Sequence, residues 1–397
     1  MSGRRYALVA GGGTGGHLLP AVAVAQALAA VRGADAVEVV GSRRGLEGDL
    51  LTDTGLRVTR LPGRGFSRAL GPRHALANAG ALAGLTWAFL LALGLVARRR
   101  PAVVVAMGGY GCVPVALAAL VFGVPVVLVN LDAVPGAASR LVGHFARAAA
   151  VAFPGTGLPR AVVTGAPVRA EVVAAAHPDG ATRGDARRAL GLPTDRFVVA
   201  AVGGSLGSKT INRATLALAG LWVGRADVAV YHVVGRRDMT WIGEGPESAP
   251  DGLVYRQVPF EERMGLLYQA ADVVVSRAGA STVCELAVVG VPAVLVPLPG
   301  APGDHQTANA TVLVAAGGAV MVSDAECTGA RLAAELDGLR STPERLEEMR
   351  AGAASVGRPQ AVAAVVDVVE SHARAGPGPD RSADAGTRAR HGVREDR

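Results

Sequence analysis

The stretches YALVAGGGTGGH, residues 6 to 17, and FVVAAVGGSLGSKT, residues 197 to 210, repeat one pattern about half the chain apart. In each, a short apolar run ends in glycines and leads into a helical pattern, which predicts a strand, a tight turn and a helix N-terminus. The backbone N–H groups and dipole at such a turn bind phosphate well. Two copies predict two doubly wound α/β halves that face one cleft and hold a nucleotide diphosphate with a group attached.

The composition agrees with two domains followed by a tail. Of the 397 residues, 50% are hydrophobic and only 4% are aromatic, and the apolar mass is Ala, Val and Leu. Such residues suit parallel strands that are covered by helices on both faces. We expect a first domain over 1–168, a second over 169–355, a helix crossing back over 356–374 and a disordered tail over 375–397.

Charge and cysteine content limit the partners. The net charge of +7 comes almost wholly from arginine, because Lys209 is the sole lysine. The sequence contains no recognisable nucleic-acid-binding module, so we expect no nucleic-acid partner. The positive charge is then expected to attract an anionic substrate or an anionic membrane surface. The three cysteines are too few and too scattered for a disulfide framework or a zinc site. We therefore expect a protein of the reducing cytoplasm without a signal peptide.

Thirteen short apolar runs predict the strands. In the first half they are Tyr6–Ala10, Ala36–Val40, Arg57–Leu61, Ala102–Ala106, Val126–Val129, Ala148–Ala152 and Ala161–Thr164. In the second half they are Phe197–Val202, Val228–Val234, Val254–Val258, Asp272–Val275, Ala293–Val296 and Ala319–Met321. Helical patterns lie between them, which is the rhythm of Rossmann-like sheets.

The segment Ala75–Ala97 allows two interpretations. It carries no charge, is long enough to cross a bilayer and ends at Arg98-Arg99-Arg100. It also contains Asn78 and leads directly into a predicted strand, as a crossover helix does. We expect a helix that is buried or that rests on anionic lipid, rather than one that spans the membrane.

Several residues near the predicted turns could carry chemistry. His17 ends the first glycine loop, where an imidazole could take a proton from an acceptor hydroxyl or could simply cap the helix. Ser205 and Ser208 add hydroxyls to the second loop, the better diphosphate cradle. Arg43 and Arg44 follow the second strand and would suit a 2′-phosphate, so an NADP-dependent oxidoreductase stays an alternative.

Two further motifs lie in the second half. The run SRAGASTVCEL, residues 276 to 286, predicts a turn and a helix from Ala280, with Glu285 one turn inside to accept hydrogen bonds from ribose hydroxyls. The loop before residue 310 offers Asp304, His305 and Gln306 to sugar hydroxyls. No D-x-D motif occurs in the chain, so we expect sugar transfer to use helix dipoles and backbone donors, with no metal and no cofactor.

Taken together, seven motifs follow one another in a family-specific order: VAGGGTGGHLLPA, MGGYGCVP, AFPG, GAPVR, GGSLGSKTIN, SRAGASTVCEL and DHQTANA. Over roughly residues 6 to 322 the chain resembles the MurG family, N-acetylglucosaminyltransferases of peptidoglycan synthesis. The resemblance implies a GT-B fold, with a first domain that takes a lipid-linked acceptor and a second that takes UDP-GlcNAc. It implies a peripheral enzyme on the cytoplasmic side of the cell membrane, an inverting hexosyltransferase that converts lipid I to lipid II.

The resemblance also implies roles for individual residues. His17 would be the base, Tyr110 would line the acceptor side, and Gln306 would bind the GlcNAc hydroxyls. The other residues implied to bind the donor are Thr14, Gly15, Gly16, Arg169, Ser205, Ala280, Ser281, Thr282, Val283, Cys284 and Glu285.

One stretch departs from the family pattern. Where members usually read H-E-x-N, this chain has Val129-Asn130-Leu131-Asp132. Asp132 thus replaces an amide that contacts the sugar, and an ionised carboxylate can only accept hydrogen bonds. Either nearby arginines offset the charge or the acceptor differs. The alternatives are a related UDP-sugar transferase with another lipid-linked or specialised-metabolite acceptor, and a GT-B protein such as a UDP-GlcNAc 2-epimerase.

Overall fold

The computed structural model describes residues 4–11, 15–42, 55–62, 72–176, 182–204, 206–249 and 251–374. Several predicted features lie outside these residues, namely Thr14, Ser205, the pair Arg43 and Arg44, and the tail from 375 to 397.

The described residues contain two β-sheets, one in each half of the chain. The strands of the first sheet are β1 (Ala7–Ala10), β2 (Val37–Ser42), β3 (Arg57–Leu61), β4 (Val103–Ala106), β5 (Val126–Asn130), β6 (Ala148–Val151) and β7 (Ala161–Val163). Those of the second sheet are β8 (Phe197–Val202), β9 (Val228–Val233), β10 (Val254–Val258), β11 (Val273–Ser276), β12 (Ala293–Leu295) and β13 (Ala319–Met321). Each predicted strand is present, and the observed ends differ by at most two residues.

Both sheets are parallel and doubly wound. The first has the order β3-β2-β1-β4-β5-β6-β7, and the second has the order β10-β9-β8-β11-β12-β13. The strand order therefore reverses between β1 and β4 in one sheet and between β8 and β11 in the other. Ligands of such sheets bind outside the carboxyl ends of the strands at this reversal. The predicted α/β fold class is confirmed, and the two glycine loops follow β1 and β8, directly at the two reversals.

Helices connect the strands and cover the faces of both sheets. In the first half they are α1 (Gly15–Arg32), α2 (Pro72–Arg99), α3 (Val113–Val121), α4 (Ala137–Phe145) and α5 (Ala170–Ala176). In the second half they are α6 (Arg183–Ala189), α7 (Lys209–Leu221), α8 (Met264–Ala270), α9 (Ala280–Val289), α10 (His305–Ala315), α11 (Gly329–Arg340), α12 (Pro343–Val356) and α13 (Ala361–His372).

The last helix, α13, packs on the first half although it follows the second half in sequence. It contacts α1 and strands β4, β5 and β6. Val365 and Val369 are fully buried in the core there, and an ion pair of 2.8 Å joins Arg32 to Glu370. Just beyond the helix, the Arg374 N–H donates to the carbonyl oxygen of Ala102 at 3.0 Å. The end of the described chain is thus anchored beside β4.

Helix α2 is the crossover between β3 and β4. The segment Asn78–Arg99 has a mean hydropathy of 2.0, and its length and composition would allow it to cross a membrane. In this structure 28% of its most apolar stretch is buried inside the protein. Ala88 and Ala92 face the core, whereas Trp87 and Leu90 are 57% and 51% exposed. The helix therefore has a packed side and an exposed apolar side. Lipid contact at the exposed side remains a prediction.

Candidate functional site

The start of α1 contacts the second half of the chain. Helix α1 begins at Gly15, so Gly16 and His17 lie in its first turn. Pro20 lies inside this helix and has no N–H to donate to the carbonyl of Gly16, four residues earlier. That carbonyl accepts instead from the Ser281 hydroxyl of α9, at 2.9 Å. Because Pro20 has no N–H, the Gly16 carbonyl oxygen is available to accept a hydrogen bond from the second half of the chain.

Within the second glycine loop, Gly207 lies directly against the residue that follows β9. Gly207 has a φ of +86°, and a Cβ there would lie 2.3 Å from the carbonyl oxygen of Val234. Packing alone therefore requires this glycine. The Ser208 hydroxyl accepts from the backbone N–H of Ile211 and caps α7. Ser208 is buried, so its hydroxyl caps the helix and does not face a ligand on the open side of the loop.

The turn after β11 presents a helix N-terminus to the cleft. Helix α9 begins at Ala280, and its N-cap residue, Gly279, provides no side-chain cap. The first N–H groups of a helix have no partner within it, and the dipole favours negative charge there. Ser281 and Thr282 are half-buried in this first turn. The arrangement suits a phosphate or another anion.

The remaining predicted residues of α9 face inward. Val283 is 1% and Cys284 is 8% exposed, and burial raises the pKa of the Cys284 thiol to about 12. Their side chains pack in the core, so only their backbone is available to a ligand.

Glu285 lies at the centre of a buried polar cluster. It is 7% exposed, and its Oε1 accepts from Nε of Arg169 at 3.2 Å. Its Oε2 accepts from the Tyr268 hydroxyl at 3.0 Å. Arg169 also pairs with Glu171 at 2.8 Å. Burial raises the pKa of Glu285 above its usual range, against the opposing effect of the Arg169 charge.

Asp132 meets the second half of the chain across the cleft. Its Oδ1 accepts from Nδ2 of Asn309 at 3.0 Å, and Oδ1 of Asn309 accepts from the backbone N–H of Ala133 at 2.8 Å. Nδ2 of Asn309 also donates to the Ala278 carbonyl oxygen at 3.2 Å. Asn309 is fully buried. One amide on α10 therefore joins the end of β5 to the turn before α9.

Gln306 and Tyr110 occupy the two sides of this region. Gln306 lies in the first turn of α10, where its Oε1 accepts from the backbone N–H of Leu298 at 2.9 Å. Tyr110 begins a short helical turn after β4 and is half-buried. Both residues follow carboxyl ends of strands. The described residues contain no cluster of three or more His, Cys, Asp or Glu side chains that could hold a metal ion.

Two residues of the site were missed by the sequence analysis. Asn309 lies within the quoted motif DHQTANA, three residues after Gln306 and so on the same side of the helix. That spacing could have identified it. Tyr268 lies in an ordinary apolar pattern before β11, and no local signal distinguishes it from a core residue.

Comparison with known proteins places this geometry in a family. Residues 7–151 match the N-terminal domain of glycosyltransferase family 28, and residues 198–365 match its C-terminal domain. A relative from Desulforudis audaxviator is 35% identical over 93% of this chain and 99% of its own length. It is named UDP-N-acetylglucosamine–N-acetylmuramyl-(pentapeptide) pyrophosphoryl-undecaprenol N-acetylglucosamine transferase. The chain belongs to the MurG family.

Other MurG proteins agree with this assignment. A relative of the same name from Alkalilimnicola ehrlichii is 40% identical over 92% of this chain and 99% of its own. The crystal structure of Acinetobacter baumannii MurG superposes with a TM-score of 0.69 at 28% identity, covering 93% of this chain and 99% of that one. The predicted resemblance and the predicted GT-B fold are both confirmed.

Proposed function

We propose that this protein transfers N-acetylglucosamine from UDP-GlcNAc to MurNAc-pentapeptide pyrophosphoryl-undecaprenol, converting lipid I to lipid II in peptidoglycan synthesis. The observation that carries the proposal is the similarity to transferases of that name, 35% identical over 93% of this chain and 40% over 92%. It extends across both halves of the chain, so it includes both sides of the cleft. We take 1–168 as the acceptor domain and 169–355 as the donor domain.

The donor would bind mainly to the second half. The N-terminus of α9, residues 280 to 282, offers backbone N–H groups to a phosphate. The buried Glu285 carboxylate suits the ribose hydroxyls, and Arg169, which pairs with it at 3.2 Å, can meet the diphosphate. The loop 203–208, which includes Ser205, and the residues Thr14 to Gly16 would complete the diphosphate and sugar site. Gln306 would hold the GlcNAc hydroxyls.

The reaction would be a single displacement with inversion. An acceptor hydroxyl attacks the anomeric carbon of GlcNAc, the bond to the diphosphate breaks, and UDP leaves. His17, in the first turn of α1, would take the proton of the attacking hydroxyl. Negative charge grows on the departing diphosphate, and helix N-termini and backbone N–H groups would stabilise it without a metal ion.

The acceptor would reach the first half from a membrane surface. Helices α2 and α3 pack together, and both expose large apolar side chains. These are Leu82 (59%), Trp87 (57%), Leu90 (51%), Leu120 (50%), Val121 (64%) and Phe122 (43%). Arg98 and Arg100 are exposed at the end of α2. An apolar surface beside cations suits peripheral binding to anionic lipid on the cytoplasmic side of the cell membrane.

Calorimetry tests the donor half of this proposal. UDP and UDP-GlcNAc should release heat on binding, and NADPH should not. Heat with NADPH and none with either uridine nucleotide would support the oxidoreductase alternative instead. Incubation with UDP-GlcNAc alone tests the epimerase alternative, which would yield the C2 epimer of the donor.

A further inference from the structure

Tyr268 contacts Glu285, the carboxylate proposed to bind ribose, from inside the protein. It lies on α8, is 2% exposed, and its hydroxyl donates to Oε2 of Glu285 at 3.0 Å. No motif and no feature of the resemblance pointed to this residue. Because the tyrosine is almost wholly enclosed, its hydroxyl cannot touch a ligand in the cleft, and any effect on binding must pass through Glu285.

The position of Tyr268 is fixed by close packing of its helix. Helix α8 packs against α5, α6 and α9. At Gly265, one turn before the tyrosine, a Cβ would lie 2.5 Å from the carbonyl oxygen of Glu171 on α5. The two backbones are therefore in direct contact. Helix α8 is thus packed closely against α5, and α5 also contacts α9, which limits how far the tyrosine hydroxyl can move relative to α9.

Glu285 is held through both of its oxygens, but the two partners differ. Arg169 donates to Oε1 at 3.2 Å, and its side chain is 21% exposed and also pairs with Glu171. The Arg169 guanidinium is therefore shared between two carboxylates and is partly open to solvent. The Tyr268 hydroxyl is enclosed, and its proton is directed to Glu285. Burial also raises the pKa of the Tyr268 hydroxyl well above its usual value, so the phenol remains a donor at physiological pH.

A carboxylate has about four lone-pair positions, two on each oxygen. Tyr268 occupies one of them and Arg169 occupies another, and these bonds to the two oxygens restrain the rotation of the group. We propose that Tyr268 is a positioning residue for ribose recognition, orienting the Glu285 carboxylate so that its free lone pairs meet the two hydroxyls of a UDP ribose. This inference rests on the proposed function, because it takes a uridine diphosphate sugar as the ligand.

The test compares UDP with 2′-deoxy-UDP, which lacks one of the two hydroxyls. Calorimetry should give a clear preference of the unmodified protein for UDP. In Tyr268→Phe the ring keeps its shape but loses the hydroxyl, so the affinity for UDP should fall by roughly tenfold, the order expected for one hydrogen bond to a charged group. The affinity for 2′-deoxy-UDP should fall much less, so the preference should shrink.

Tyr231→Phe is a matched control. Tyr231 is 1% exposed, and its hydroxyl also donates to a carboxylate, Oε2 of Glu261. This variant should show a similar change in melting temperature and an unchanged preference for UDP. In a Glu285→Gln background the preference should already be weak, and adding Tyr268→Phe should not reduce it further.

The outcomes separate the two claims. If the unmodified protein binds neither nucleotide, the proposed function fails. If it prefers UDP and Tyr268→Phe keeps that preference while losing only thermal stability, the tyrosine is a packing residue and the inference is overturned. A further loss of preference from Tyr268→Phe in the Glu285→Gln background would also contradict it, because the effect would then bypass Glu285.

Discussion

Replacing Asn309 by leucine should open the cleft. Leucine has the same branched arrangement of heavy atoms, with larger methyl groups in place of the amide oxygen and nitrogen, so the change removes three hydrogen bonds without leaving a cavity. These bonds run to the Ala133 N–H (2.8 Å), the Asp132 carboxylate (3.0 Å) and the Ala278 carbonyl (3.2 Å). The first two join the halves of the chain. The third fixes the turn before α9.

The size of the effect follows from these bonds. A neutral hydrogen bond contributes about 0.5–1.5 kcal/mol and one to a charged group about 1.5–3 kcal/mol, which gives about 2–4.5 kcal/mol for the two bonds that join the halves. Asp132 and Ala133 are half-buried, and water can replace their partner once the cleft opens. We therefore take the lower end, about 2 kcal/mol, which corresponds to a roughly 30-fold smaller ratio of the closed to the open form.

Steady-state kinetics and small-angle X-ray scattering measure the two consequences. The kcat/KM for transfer should fall by as much as about 30-fold, and the radius of gyration should increase. The matched control is Asn212→Leu. Asn212 is also fully buried, but its bonds to Val234, Asp238 and His232 all lie within the second half. This control should lower thermal stability and leave the radius of gyration unchanged. Asn309→Leu with an unchanged radius and an unchanged kcat/KM would refute the argument.

Four other predictions concern the chemistry and the membrane. Transfer should continue in EDTA, and activity that disappears on chelation and returns with Mg²⁺ or Mn²⁺ would contradict stabilisation by helix N-termini. His17→Ala should lower turnover by ~10²–10⁴-fold with unchanged UDP affinity, and wild-type turnover would reduce His17 to a helix cap. Asp132→Asn should raise kcat/KM with lipid I severalfold, because an amide still accepts from Asn309 and removes a negative charge from the cleft; equal rates would mean that the charge is already offset. Trp87→Glu should reduce the fraction of protein that sediments with anionic vesicles. The control is Val31→Glu, at an exposed valine of α1 (61%), which should leave that fraction unchanged.

The sequence predicted the strands well because their signal is local. Runs such as Phe197–Val202 are made of Val and Ala and are followed by glycine, and β8 has the predicted bounds. The first glycine loop was predicted to end at His17. Helix α1 already begins at Gly15, inside that motif. Pro20, inside the helix, leaves the Gly16 carbonyl free to accept from Ser281 of the second half. A local sequence pattern cannot predict a contact between the two halves.

The contacts of the site could not be predicted in the same way. Asp132 and Asn309 are 177 residues apart in the chain, and their contact exists only because the two sheets face each other. The sequence identified Asp132 as an unusual acid in the cleft but could not supply its partner. Glu285 was predicted to accept hydrogen bonds from ribose hydroxyls, but the sequence did not show that Arg169 and Tyr268 would enclose it. The burial of Glu285 results from the packing of several helices, so it cannot be predicted from the residues near it in the sequence.

The most direct test of the central claim is mass spectrometry of the products formed from UDP-GlcNAc and lipid I by the purified protein. We predict a product heavier than lipid I by one N-acetylglucosamine residue, formed together with an equal amount of UDP and formed far more slowly by His17→Ala. Unchanged lipid I after prolonged incubation, alongside transfer to another acceptor from a membrane extract, would contradict the proposed acceptor.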